Sequence, residues 1–417
     1  METVLRAGGE YDDNVRLDED DIDIAGVVVS PKLNFGVRTE RFDLALNTAL
    51  DFARFNKSEY NSDDQDIALA SSYAFEYNVF KAAAQIKRDS TRTSEFLDTG
   101  EIGETAARRE AQNLTLAWQH LFTEKQSLEL SASYANVEYE STNSNLNDYD
   151  YAGINAAYAI ALSDRTRLIT QVVANRFGSD TFGDVLFGQR ATGAVCQPGS
   201  FVVIGTTIHR CPSFVSAEIE QDTYGMNVGV ERILSEKLLF SIAVGANYVE
   251  SSFDSREADI FSEQSRLDLL AGLEDEDDTS FFLSSTLRYS GERTTLSLNL
   301  SSNTKPSANG YLLLSNQLLF NVDYQLSERS KVFARLDLID SRSVGDAVDS
   351  SGRSLSSNDR TYGAARVGAS YRLTEAWYLE ASYRYRAQDR EFFDEIAKSN
   401  AAYLKIVYKP HKKTWSR

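Results

Sequence analysis

Lys237-Leu-Leu-Phe-Ser-Ile-Ala-Val-Gly-Ala-Asn-Tyr-Val249 decides the fold. Leu238, Phe240, Ile242, Val244, Ala246 and Tyr248 fall on one face of an extended chain. Leu239, Ser241, Ala243, Gly245 and Asn247 fall on the other, which is mostly small or polar. Alternation of period two over about ten residues is the pattern of a strand with one face in lipid and the other in water. Working outward, the pattern recurs between turn signals along the whole chain and gives about eighteen strands, the even count of bacterial single-chain barrels. The connections alternate as well. Turns such as Thr39–Arg41, Ser163–Arg165 and Leu234–Glu236 are short, and the connections between them are long and often acidic. The expected fold is therefore an all-β transmembrane antiparallel barrel over residues 1–408, with short periplasmic turns and long extracellular loops. Residues 409–417 form a basic C-terminal tail.

Composition agrees. The 417 residues hold 5 prolines but 21 tyrosines and 22 phenylalanines, which suits long hydrogen-bonded strands with aromatic girdles. No run of about 18 apolar residues is present, so no transmembrane helix is expected. The net charge is −19, and acidic runs such as Asp18-Glu-Asp-Asp21 and Glu274-Asp-Glu-Asp-Asp278 read as solvated loops. Calcium, or cations bridging lipopolysaccharide, is the other use of such clusters. The sign of the charge disfavours nucleic acid. Integral placement in a bacterial outer membrane, among lipid and lipopolysaccharide, follows from the barrel. Export requires a secretory leader, so Met1 reads as the start of a mature chain.

Cys196 and Cys211 share one long loop, Phe177–Ser216. In an oxidising periplasm a loop-closing disulfide is expected there, contributing about 3 kcal/mol to local order. This loop and Ser252–Asp278 are the candidates to fold inward and constrict the channel, and an outward cap is the equal alternative.

Assigning the apolar face to lipid leaves the other face for the pore. Its basic residues are Lys81, Lys87, Arg288, Arg335, Arg366, Arg372, Arg384, Arg386 and Lys405. Its acidic residues are Asp43, Asp51, Glu76, Glu129, Asp323, Asp337 and Glu380, and its aromatic residues are Phe333, Tyr378 and Tyr403. Closure of the barrel sets strands fifteen to eighteen beside strand one, gathering the arginines on one wall. Two readings stay open: the charges pair with cross-strand neighbours, or they form a basic stripe that guides an anionic solute. The three histidines, His120, His209 and His411, are dispersed, and no nucleophile, phosphate-binding or metal-ligand spacing occurs. Neither an enzyme nor a cofactor or metal is expected.

The segment Glu10-Tyr-Asp-Asp-Asn-Val15, then Val29-Ser-Pro-Lys-Leu33, resembles the opening of the β-barrel porin 2 family. The endings Ser370-Tyr-Arg-Leu373 and Ser382-Tyr-Arg-Tyr385 are similar to that family's late strands. The resemblance implies an outer-membrane conduit for an exopolysaccharide chain, acting with periplasmic export components. The alternative is a general or anion-preferring porin for small solutes. One departure is that Tyr408 is followed by Lys409-Pro-His-Lys-Lys-Thr-Trp-Ser-Arg417, where such barrels commonly end on an aromatic residue.

Overall fold

The computed structural model describes residues 1–17, 21–90, 108–140, 146–183, 201–204, 207–210, 215–256, 276–307, 312–344, 360–390 and 396–411. The first nine strands are β1 (Glu2–Asp12), β2 (Ile24–Arg38), β3 (Phe42–Phe55), β4 (Ser62–Phe75), β5 (Asn78–Ser90), β6 (Arg108–Thr123), β7 (Gln126–Tyr139), β8 (Tyr149–Ser163) and β9 (Thr166–Gly183). A small hairpin follows, β10 (Phe201–Ile204) with β11 (Thr207–Arg210). Then come β12 (Val215–Ser235), β13 (Leu238–Arg256), β14 (Glu276–Ser290), β15 (Thr294–Pro306) and β16 (Leu312–Gln325). The last four are β17 (Ser330–Ser343), β18 (Arg360–Arg372), β19 (Trp377–Arg390) and β20 (Ala397–Tyr408).

Apart from the β10–β11 hairpin, every strand pairs antiparallel with its sequence neighbours. β9 pairs with β12, and β1 closes on β20 from Leu5↔Tyr408 to Asp12↔Ala401. The result is an 18-stranded closed barrel, and the chain is an integral outer-membrane protein. In β13 the even residues Ile242, Val244 and Tyr248 are exposed outward, while Asn247, Val249 and Ser251 are buried inward. Near the short turns the outward face carries rings in contact: Tyr73, Phe75 and Phe80 in one row, Trp118, His120, Phe122 and Tyr158 in the next. Trp118 Nε1 donates to Asn78 Oδ1 at 3.0 Å, giving the girdle a polar anchor at the interface.

The strands differ from expectation in length. β12 and β13 run 21 and 19 residues, about twice what the bilayer requires. Their outer ends leave the membrane, so the outward face changes from apolar to charged. Arg176 there pairs with Glu220 at 2.9 Å and Asp222 at 3.3 Å. Part of the Glu274–Asp278 run is likewise strand, with Asp277 opposite Glu250 in the β13–β14 ladder. The loops expected over Phe177–Ser216 and Ser252–Asp278 are correspondingly shorter, and Phe201–Ile204 is paired strand. Cys196 and Cys211, with their expected disulfide, lie outside the described residues. Glu76, expected to face the lumen, sits in the tight β4–β5 turn with φ 37°.

The outer end of the barrel is bridged. One apolar cluster holds Ala111 of β6, Val137 of β7, Tyr149 of β8, Phe177 of β9, Val249 of β13, Leu312 of β16 and Val344 just after β17. Strands β6 and β17 lie on opposite walls, so this cluster spans the lumen. Gln221 of β12 is fully buried within it. Its Nε2 donates to Ser251 Oγ at 2.8 Å and to the Val344 carbonyl at 3.3 Å, and its Oε1 accepts from Leu312 N at 2.7 Å. Along the wall, β12 and β16 are four strands apart, about 19 Å at the usual strand spacing. The bond is possible only across the lumen. Strands β4–β9 show the complementary feature on their lipid face, a concavity of about 850 Å³ floored by Ala82, Ala132, Ala156 and Ala174.

Candidate functional site: a polarised cavity in the lumen

Beside the bridge, the lumen holds a cavity of about 410 Å³ between two walls of opposite sign. The basic wall comes from β17–β20. Arg335, Arg366 and Arg384 are direct cross-strand neighbours in one inward row. Like charges in register repel, and the structure disperses them over aromatic rings. Tyr403 carries three cations: Arg366 Cζ at 4.8 Å from the ring centre, Arg384 Cζ at 5.4 Å and Lys405 Nζ at 5.4 Å. Phe333 takes Arg335 at 5.4 Å and Arg366 at 6.0 Å. Gly368, opposite Phe333 in the ladder, makes this possible, since a Cβ there would lie 2.4 Å from Phe333 Cζ. Arg366 Nη2 also donates to Ser382 Oγ at 2.8 Å.

One row outward, the chain leaving β1 folds inward across this wall. Asp12 is fully buried. Its Oδ2 accepts from Arg386 Nη2 at 2.9 Å and Arg384 Nη2 at 3.1 Å, and its Oδ1 accepts from Ser399 Oγ at 2.7 Å. Arg386 Nη2 also donates to the carbonyls of Asn14 at 3.0 Å and Val15 at 3.4 Å. The Asp13 carboxylate accepts from Asn400 N at 2.6 Å and Nδ2 at 2.8 Å. Val15 then packs with Ile24, Ala53, Phe55 and Tyr60, and Leu17 reaches Ile339 and Tyr362. Residues 13–17 thus roof the cavity.

The acidic wall comes from β3–β5. Asp51 stands directly opposite Asp64, and Asp66 opposite Lys87. Lys87 turns to Asp89 at 2.6 Å, which Arg109 also contacts at 3.2 Å. Gln85 Nε2 donates to Asp66 at 2.8 Å.

The ladders put all the expected strand residues on the inward face and divide them among several settings. Asp51, Lys87, Arg366, Arg384, Arg386 and Tyr403 surround the cavity. Arg335, Phe333 and Lys405 back its basic wall. Lys81 pairs with Glu129 at 2.9 Å, Asp43 with Arg38 at 2.7 Å and Asp323 with Lys331 at 3.0 Å. Asp337 accepts from Gln317 at 3.3 Å. Tyr378 lies under Lys409, 5.0 Å from its ring centre. Arg372 and Arg288 sit nearer the short turns, opposite Tyr378 and Ser297, and Glu380 stands opposite Lys405. Lys81, Lys87, Arg384 and Arg386 are thus paired with carboxylates, while Arg335, Arg366 and Lys405 make no ion pair among the described residues. Sequence reasoning missed Glu10, Asp12, Asp64, Asp66 and Asp89. Alternation continued past Tyr11 and ahead of Asp66 was the signal available.

No family model and no curated protein matches the chain. Among solved structures it is similar to the ferric citrate transporter FecA, at 9% identity and a TM-score of 0.47, covering 98% of this chain and 78% of that one. It is also similar to the iron transporter FrpB of Neisseria meningitidis, at 8% identity and 0.46, covering 98% and 82%. A third is the ferric-catecholate import receptor Fiu of E. coli K12, at 9% and 0.44, covering 98% and 81%. At such identities the likeness is one of fold. The expected function, a conduit for an exopolysaccharide chain, is corrected on the geometry of the lumen. With it go the general or anion-preferring porin, the polysaccharide substrate and the periplasmic export partners. The physical reason lies in the mouth, because a polymer conduit or open porin needs a continuous path and here an apolar cluster crosses the lumen.

Proposed function

We propose that this chain is an outer-membrane uptake barrel that binds a small carboxylate-bearing solute in its lumenal cavity and passes it when the closed mouth yields. The observation that carries the reading is the cavity itself: about 410 Å³, with Arg366 and Arg384 on one side and Asp51 and Asp64 on the other. That volume lies in the range of small-molecule sites. Opposed charges on low-dielectric walls focus a field across the cavity, which orients a solute bearing a carboxylate at one end and ammonium or hydroxyl groups at the other. Control sits at the outer end, which an entering solute meets first. Specific binding, rather than free diffusion, follows from a closed mouth over a charged cavity.

The test pairs planar-bilayer recording with calorimetry on the purified barrel. The resting protein should conduct little, and glutamate or succinate should bind saturably. Arg366→Gln should weaken that binding at least tenfold while the barrel keeps its faster migration unboiled on a denaturing gel. A large steady conductance with no saturable binding of either solute would refute the reading.

A further inference from the structure

Asp12 belongs to the chain, yet it occupies the position that a solute carboxylate would take. Its two oxygens collect the donors of Arg384, Arg386 and Ser399, a set that would serve an external carboxylate equally well. The same residue begins the inward segment, so whatever holds Asp12 also holds residues 13–17 over the cavity. Three further observations bear on the arrangement. Arg384 Nε is buried beside the cavity and makes no hydrogen bond, so the donor set exceeds what Asp12 uses. Leu17, at the buried end of the segment, has φ 55°, a left-handed conformation that costs a non-glycine residue energy. The segment is held along its length, at Asp13 by Asn400, at the Asn14 and Val15 carbonyls by Arg386, at the Val15 side chain by Ile24 and Phe55, and at Leu17 by Ile339 and Tyr362, so the guanidinium that holds Asp12 also holds the backbone behind it.

Resting on the uptake reading above, we infer that Asp12 is an internal stand-in for the solute. A carboxylate arriving at Arg384 and Arg386 displaces it, so that binding the solute and lifting residues 13–17 from the cavity are one event. The exchange swaps one carboxylate for another on the same two guanidinium groups, so the buried arginines never lose their counter-charge, and Asp12 returns to water with its segment. Arg384, Arg386 and Ser399 select for a carboxylate, and the acidic wall sets which carboxylate-bearing solutes can stay.

Hydrogen exchange read by mass spectrometry on a peptide covering Asp13–Leu17 tests this on the full chain in lipid nanodiscs. In the wild type these amides are held by Asp13 N to the Asn400 carbonyl at 3.1 Å and Val15 N to the Ile22 carbonyl at 3.0 Å. Succinate should speed their exchange saturably, and chloride at equal ionic strength should not. Asp12→Asn should exchange at least tenfold faster without succinate and gain nothing when it is added. Ser399→Ala, which removes one donor and leaves both arginines, should fall between. Calorimetry on the same samples separates the two ideas. Succinate binding without faster exchange overturns the latch and leaves the cavity reading standing. No binding of succinate at all overturns both, and wild-type exchange rates in both variants overturn the latch directly.

Discussion

Gln221 offers the sharpest perturbation of the closed mouth. Replacing it with alanine removes three hydrogen bonds at once, to Ser251 Oγ, the Val344 carbonyl and Leu312 N. Ser251 can rotate, but the Leu312 N–H and the Val344 carbonyl are backbone groups fixed within an apolar cluster. Each buried group left without a partner costs about 1–3 kcal/mol. Leu312 and Val344 stay tied to one another, Val344 N donating to the Leu312 carbonyl at 3.0 Å, so the two would move as a pair. Water entering from the outer side recovers part of the cost. A net figure of about 3 kcal/mol against the closed state corresponds to roughly a hundredfold in the closed-to-open equilibrium. Single-channel recording reads that directly as a rise in the resting open fraction. Gln221→Met fills the same space without the hydrogen bonds and should show most of the effect, which separates bonding from packing. If both variants stay as quiet as the wild type, with unchanged thermal unfolding, the bridge does not close the mouth and the gating argument fails.

Three other outcomes follow from the geometry. Gly368→Ala would put a Cβ 2.4 Å from Phe333 Cζ. It should cost about 1–3 kcal/mol through displacement of that ring, read as a lower temperature for losing heat-modifiable migration, and it should weaken carboxylate binding by disturbing Arg335 and Arg366. Arg386→Gln removes one partner of a buried ion pair and should destabilise by about 3–5 kcal/mol in denaturant titration. Lys81→Gln breaks the exposed pair with Glu129 and should cost under about 1 kcal/mol in the same assay; equal effects would mean that burial does not rank these pairs.

What was legible in the sequence was local and periodic. In the stretch from Lys237 to Val249 the choice between outward and inward residues needs only alternation, and the same rule carried Arg335, Arg366 and Arg384 onto one inward row. The rule depends on lipid. Above the bilayer the outward face is charged, as at Glu220, Asp222 and Glu250, and the strand ends beyond, residues 177–183, 252–256 and 276–278, read as loop. Contacts across the lumen leave no local trace at all. Nothing near Gln221 says that it meets Leu312, 91 residues away. The same is true of Asp12 and Arg386, 374 residues apart. Arg384, which also bonds to Asp12, lies in the late ending Ser382–Tyr385, so this contact joins stretches that carried the family resemblance, and only the closure of β1 on β20 brings them together.

That meeting also bears on the balance of charge in the lumen. Arg384 and Arg386 bring positive charge to this wall, and both bond to the Asp12 carboxylate. Arg335, Arg366 and Lys405 add to it, softened but not cancelled by the rings of Phe333 and Tyr403, since a ring quadrupole attracts a cation without neutralising it. Across the cavity, Asp51 and Asp64 face one another with Lys87 drawn away to Asp89. An acidic protein therefore encloses a cavity with a basic side and an acidic side. A solute entering it is turned so that its carboxylate meets Arg384 and Arg386, the one place where its arrival would compete with Asp12.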